Sequence, residues 1–360
     1  MNLPSFLYAL RWLMWDTVRL AMASGLFWVM LVVTTLCTVF CLSLGVKGDV
    51  PIKRDGPQPT HFLPDPTRQQ FVQASMMVTL DTWAAATVGY HAMKTDPTYI
   101  ANRYDVETIR GKVTIAFNSI EIALTRDRTS ISEYVQLLMA GWVADAAGIL
   151  LALIWTAGFL PSFLEPNAAS VLIAKPMPRW ALLLGKYLGV LAFVLFQATL
   201  FVGLTWFALA LKLGVWDMRY LACIPLLVLH FAIFFGFSVF IAVCTRSTVA
   251  CVIGSILFWL ICWGMNFGRH AYLLTPELHA TGGVLGFFVE AGYWIMPKPA
   301  DMGMVLFDAM SAGDYFGRVL DVNRLEKMGG FHPELSIITS LVFTAVLLAI
   351  SAREFRKTDY

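Results

Sequence analysis

The sequence predicts an all-α polytopic membrane protein with six transmembrane helices, an N-terminal interfacial helix and a small outward-facing α/β loop region. Composition leads there first: 58% of the residues are hydrophobic and 14% are charged, with a mean hydropathy of +0.68. A soluble domain carries about 25% charged residues, so a chain of 360 residues this apolar lacks the polar surface to cover itself. Long solid apolar runs are the second observation, since crossing a hydrocarbon core of about 30 Å as a helix takes about 20 apolar residues. The third is that these runs do not show the weak alternation over about ten residues that marks a β-barrel strand.

Residues 1–20 come first. At helical spacing, Phe6, Leu10, Leu13 and Leu20 gather on one side, and Tyr8, Arg11, Trp12, Trp15, Asp16 and Arg19 on the other. Rings beside cations suit the headgroup layer, so the stretch reads as a helix lying along the membrane, with an extension of the first span as the alternative. A cleaved signal peptide fits poorly, because Asp16 precedes the apolar core and no small-x-small site follows it.

The first span occupies about 21–46, and an outward-facing subdomain, 47–133, follows. Five prolines between Pro51 and Pro66 make its start an extended linker. Alternation over 112–128, with Asn118-Ser119 at the turn, predicts a β-hairpin. Spans two to five fill 134–267, at about 135–158, 183–210, 220–243 and 249–267, and a loop at 159–182 separates the second from the third. A second outward segment, 268–333, holds an apolar piece, 283–296, too short to span. The sixth span takes 334–352, and the tail 353–360 is basic.

Charge orients the chain. One side carries Arg11, Arg19, Lys175, Arg179, Lys186, Arg246, Arg353, Arg356 and Lys357 against Asp16, Glu165, Glu354 and Asp359. By the positive-inside rule both termini and the 159–182 loop are cytoplasmic and the two long loops face outward. The net charge of +2 gives no sign of a nucleic-acid partner. All six cysteines lie in apolar runs, which leaves none for a loop disulfide.

A search for catalytic chemistry returns little. There is no Gly-x-x-x-x-Gly-Lys-Ser/Thr phosphate cradle and no His-Glu-x-x-His helix. Glu277-Leu278-His279 is a lone acid–imidazole pair, short of the three protein ligands zinc needs. His230 and Ser238 stand eight residues apart on one helix, beyond hydrogen-bond reach. No catalytic residue, metal or cofactor is expected. Asp145 is the one carboxylate well inside a span. An intramembrane acid costs on the order of 2.5–3.5 kcal/mol on insertion scales and faces protein or water; Asp145 is either a pathway residue or a carboxyl hydrogen-bonded to a neighbouring helix.

The 159–182 loop is more specific. Pro161 breaks the second span, and Glu165-Pro166-Asn167 can start a short helix. Ala168 to Ala174 gives it about two turns, and Lys175-Pro176-Met177-Pro178 stops it. Arg179 and Lys186 flank the start of the third span, within reach of headgroups or a protein partner. The segment reads as a rigid contact a partner could push, or as a plain tight loop.

The run Leu172-Ile173-Ala174-Lys175-Pro176-x-Pro178-Arg179 followed by Leu184-Gly185-Lys186-Tyr187-Leu188-Gly189 resembles the export-type (type-2) permeases of ATP-binding-cassette transporters. The late segment Tyr293-Trp294-Ile295-Met296-Pro297 resembles the permeases of nitrous-oxide-reductase maturation. The chain departs from the pattern at Asn167-Ala168-Ala169, where glycine is common, and in its long first outward loop. The resemblance implies a bacterial inner-membrane permease with 165–178 as a coupling helix that docks on a separate ATPase subunit. Glu165, Pro166, Lys175, Pro176, Pro178, Arg179 and Lys186 would carry that contact, and a second permease chain, identical or not, would complete the pathway. The other reading is a membrane-anchored assembly or sensor protein whose outward loop binds a partner.

Overall fold

The structure, a computed structural model, describes residues 22–48, 111–124, 127–159, 178–274, 283–311 and 328–357, together with 17–20 and a few single positions. Most of 1–21, where the interfacial helix is expected, most of the first long loop and the segment 162–177 lie outside the described residues. Eight helices and three short strands are described. They are α1 (Gly25–Ser43), β1 (Gly45–Gly48), β2 (Gly111–Ile115), β3 (Ile120–Leu124), α2 (Arg128–Thr156), α3 (Arg179–Leu213) and α4 (Cys223–Thr245). After them come α5 (Thr248–Leu274), α6 (Gly283–Ile295), α7 (Pro299–Ala309) and α8 (Pro333–Lys357).

Five helices are long and apolar enough to cross a membrane: α2, α3, α4 with the 3₁₀ turn before it, α5 and α8. This is consistent with an all-α, multi-pass membrane protein. α1, 19 residues long, lies where the first span is expected but is not among the five. Four of the five extend at both ends past the run read from sequence, because their polar ends continue the backbone ladder, while α2 starts earlier, at Arg128, and stops at Thr156, short of the expected 158.

α4 is the hub, packed against α2, α3, α5, α7 and α8. Its closest neighbour is α8, and the approach has a specific cause. A Cβ at Gly236 would sit 2.5 Å from Thr344 Cγ2, so the glycine lets the backbones meet. Thr344 Oγ1 then donates to Ile233 O at 3.3 Å. α3 ends on Gly214 at φ 73°, a left-handed stop that returns its amide to Ala210 O at 2.9 Å.

The predicted hairpin forms, with Ile115 opposite Ile120. Its turn places Ala116, Phe117 and Asn118 at positive φ. Missed from sequence was β1, which leaves the end of α1 and pairs antiparallel with β2 from Gly45 opposite Thr114 to Gly48 opposite Gly111. The small sheet is not independent. Val113 is buried in one cluster with Ile131, Val135 and Met139 of α2, and Arg128 Nε donates to Val50 O at 3.0 Å. This sheet end of the bundle also holds α6 and α7. The second of these was not anticipated, although Pro299 at the first turn and Asp301 beside it make a proper helix start.

Two apolar cores are stacked along the bundle. One, at the sheet end, gathers Cys41, Met139, Phe201, Leu209, Tyr220 and Leu306. The other gathers Leu153, Tyr187, Phe231, Phe235, Trp259 and Phe355. Between them α2 changes character: Leu138–Gly148 is π-helical, with ordinary α-helix on either side. π-helix is rare and appears mostly as a single turn, often at functional sites; here it runs for 11 residues.

Candidate functional site

At the end opposite the sheet, α3 begins at Pro178, whose φ of −65° suits a helix start and whose carbonyl accepts from Ala181 N at 2.9 Å. Arg179 Nη1 donates to Arg356 O at 3.1 Å. A helix leaves its last four carbonyls unpaired and carries partial negative charge there, so this guanidinium fastens the start of α3 to the finish of α8. Lys186, read as a headgroup or partner contact, is 6% exposed and lies inside the folded chain. Glu165, Pro166, Lys175 and Pro176 lie outside the described residues, as do Glu277 and His279.

Midway along the bundle, the π-helical stretch turns Asp145 inward. The carboxylate is 8% exposed and its Oδ1 lies 2.5 Å from His230 Nδ1 on α4. With the acid ionised, Nδ1 is the protonated ring nitrogen and donates to it. The opposite nitrogen, Nε2, is buried without a hydrogen-bond partner. A small cavity beside the pair is walled by Leu226, Met302, Val305, Leu306 and Ile337, so α7 covers it from the sheet end. Gly303 of α7 faces the acid, where a Cβ would make ordinary contact with Asp145 Oδ2 at 3.8 Å.

Sequence reasoning had Asp145 but not its partner. His230 was weighed only against Ser238, on its own helix. The available signal was that two different spans each carried an ionisable side chain, and each such group needs a partner in the membrane.

A second polar cluster closes the sheet end. Asp301, 0% exposed, accepts from Asn266 Nδ2 at 2.9 Å, Tyr293 OH at 2.6 Å and Ser336 Oγ at 2.6 Å, and lies 3.0 Å from His270 Nε2. Burial alone would raise its pKa, but the His270 bond and charge, with the Ser336 and Tyr293 hydroxyls, outweigh it and hold the carboxyl at about 2. Lys298, also 0% exposed, donates to Thr339 Oγ1 at 2.6 Å and sits 4.7 Å from the Tyr293 ring centre. Burial pushes its ammonium down to about 8, against the opposing pull of Asp301. Arg269 stacks at 3.9 Å over the same ring and donates to Glu290 at 3.0 Å and to Gly330 O at 2.7 Å. The cluster ties α5, α6, α7 and α8 together.

None of the six cysteines is in a disulfide. Among the described residues no group of three or more His, Cys, Asp or Glu side chains could hold a metal. The sequence matches no protein-family profile. A comparison with curated proteins likewise gives no match.

Proposed function

We propose that this chain is the membrane-spanning permease subunit of an ATP-driven exporter, with six spans, both termini in the cytoplasm, and ATP hydrolysis left to a separate subunit. The observation that supports the reading best is mechanical. Arg179 links the first turn of α3 to the last turn of α8 at 3.1 Å, and both helices pack on the hub α4. A push on the loop 159–182 would therefore move three long helices as a unit rather than fray one. Glu165, Pro166, Lys175, Pro176 and Pro178 form the contact with the ATPase, and Asp145 serves the pathway. A second permease chain, identical or not, completes it.

Extraction in mild detergent tests this directly. An exporter permease brings down a nucleotide-binding subunit in near-equal amount, whereas an anchored assembly or sensor protein does not. Within the complex, Glu165→Ala and Arg179→Ala are expected to insert normally and to lose transport-linked ATPase activity. Wild-type coupling in both removes the loop's role. Orientation is tested separately: a single cysteine at Asn118 labels from outside intact cells, and labelling only after permeabilisation inverts the topology.

A further inference from the structure

On the side of the π-helical stretch away from His230 lies a larger hollow, about 80 Å³ in volume and open at its mouth. It exists because α1 packs along α3 and barely touches Leu138–Gly148. The small side chains of Ala144, Ala152 and Ala198, with Gly148, leave the space between them unfilled. Among the described residues that line it none is charged, and its polar groups are Thr34 and Gln197.

One of those two groups is not fully satisfied. Thr34 Oγ1 donates its proton to Met30 O at 2.9 Å. It can then only accept from Gln197, which fixes the amide with Nε2 donating to Thr34 Oγ1 at 3.1 Å. Gln197 Oε1 is left buried with no hydrogen-bond partner, on a side chain 4% exposed. A lone acceptor in an apolar site is costly to leave unmade. Water answers it poorly, because a buried water needs two to four polar partners. The missing donor has to arrive with a guest that is otherwise hydrocarbon.

We infer that this hollow binds a neutral, lipid-soluble molecule carrying a single O–H or N–H donor, seated with that donor on Gln197 Oε1. Gln197 lies near the middle of α3, at a depth where the ester-linked chains of a phospholipid present no donor. The class is a chain alcohol or amide lying wholly in the hydrocarbon layer. The inference does not rest on the exporter reading, because the pocket is made by α1, α2, α3 and α4 of one chain.

The test uses the full chain in lipid nanodiscs with a diazirine-bearing dodecanol. Photolabelling should fall on α1, on 143–152 or on 194–201. Dodecanol should displace the probe at a concentration about tenfold lower than its methyl ether, as one extra hydrogen bond to a buried acceptor requires. Gln197→Leu should bring alcohol and ether to equal potency, and Ala198→Phe should abolish labelling by filling the space. Equal potency of alcohol and ether on the wild-type chain overturns the proposal without any variant. So does alcohol selectivity that survives in Gln197→Leu.

Discussion

Asp301 and Asp145 are both withdrawn from solvent, at 0% and 8% exposure, but they keep different company. Asp301 is met by Asn266, Tyr293, Ser336 and His270, drawn from three helices besides its own. Asn266 Oδ1 in turn accepts from the amides of Ala300 and Asp301, at 3.0 and 3.2 Å, and so caps α7. Asp145 is met by His230, whose far nitrogen has no partner. A group with every bond made is a fastening. A pair with a bond still to make can change state without dismantling its surroundings. Burial alone therefore does not mark function; the count of satisfied bonds separates the two acids.

Substitution should separate them most sharply. Asp301→Ala strands the donors of Asn266, Tyr293 and Ser336 and is expected to cost about 3–5 kcal/mol, read as a large fall in the thermal unfolding midpoint. Asp145→Asn keeps a hydrogen-bonding side chain opposite His230, so its cost should stay within about 1–2 kcal/mol, while transport-linked activity falls. A destabilising Asp145→Asn beside a harmless Asp301→Ala reverses the comparison.

Acid and alkali give a smaller effect confined to the sheet end. The folded pKa of Asp301 is depressed to about 2, so its stabilisation is present above the unfolded value of about 3.9 and is lost as pH falls towards 2. Lys298 has the opposite consequence. Its folded pKa is lowered to about 8, the unfolded chain binds more protons above that, and stability rises from pH 8 towards about 10.5. Lys298→Met should flatten the alkaline rise and change the acid limb only slightly, through the lost attraction to Asp301.

The smallest change is expected in the hairpin. Glu121 bridges Lys47 and Lys112 at 2.8 Å each, and these two ammonium groups hold its carboxyl down to about 2. Exposed pairs of this kind are screened by salt. Glu121→Gln should leave the unfolding midpoint unchanged within error while shifting amide signals along β2 and β3.

The long helices were legible because a bilayer demands apolar length, and length is written in the one-dimensional order of residues. The hairpin was legible for a similar reason, its partners being adjacent in sequence. What escaped was everything decided across the bundle. β1 pairs with a strand more than sixty residues away, Gly45 against Thr114. His230 meets an acid 85 positions earlier. Lys186 looked like a surface charge beside Arg179, yet the turn of α3 carries it inward. The π-helical register of 138–148 has no periodicity signal of its own, since its composition is that of any apolar helix. The residues proposed to couple, Glu165 to Pro176, lie outside the described residues, so the loop's case rests on its two ends.

The π-helical stretch is a partition shared by two rooms. Val143 and Ala144 line the hollow that Gln197 faces, and Asp145, next in the chain, looks onto the cavity beside His230. On α4 the same division runs between Leu226 and Leu227. One stretch of backbone therefore borders both spaces, so a change in its helical register would alter the hollow and the acid–imidazole cavity together.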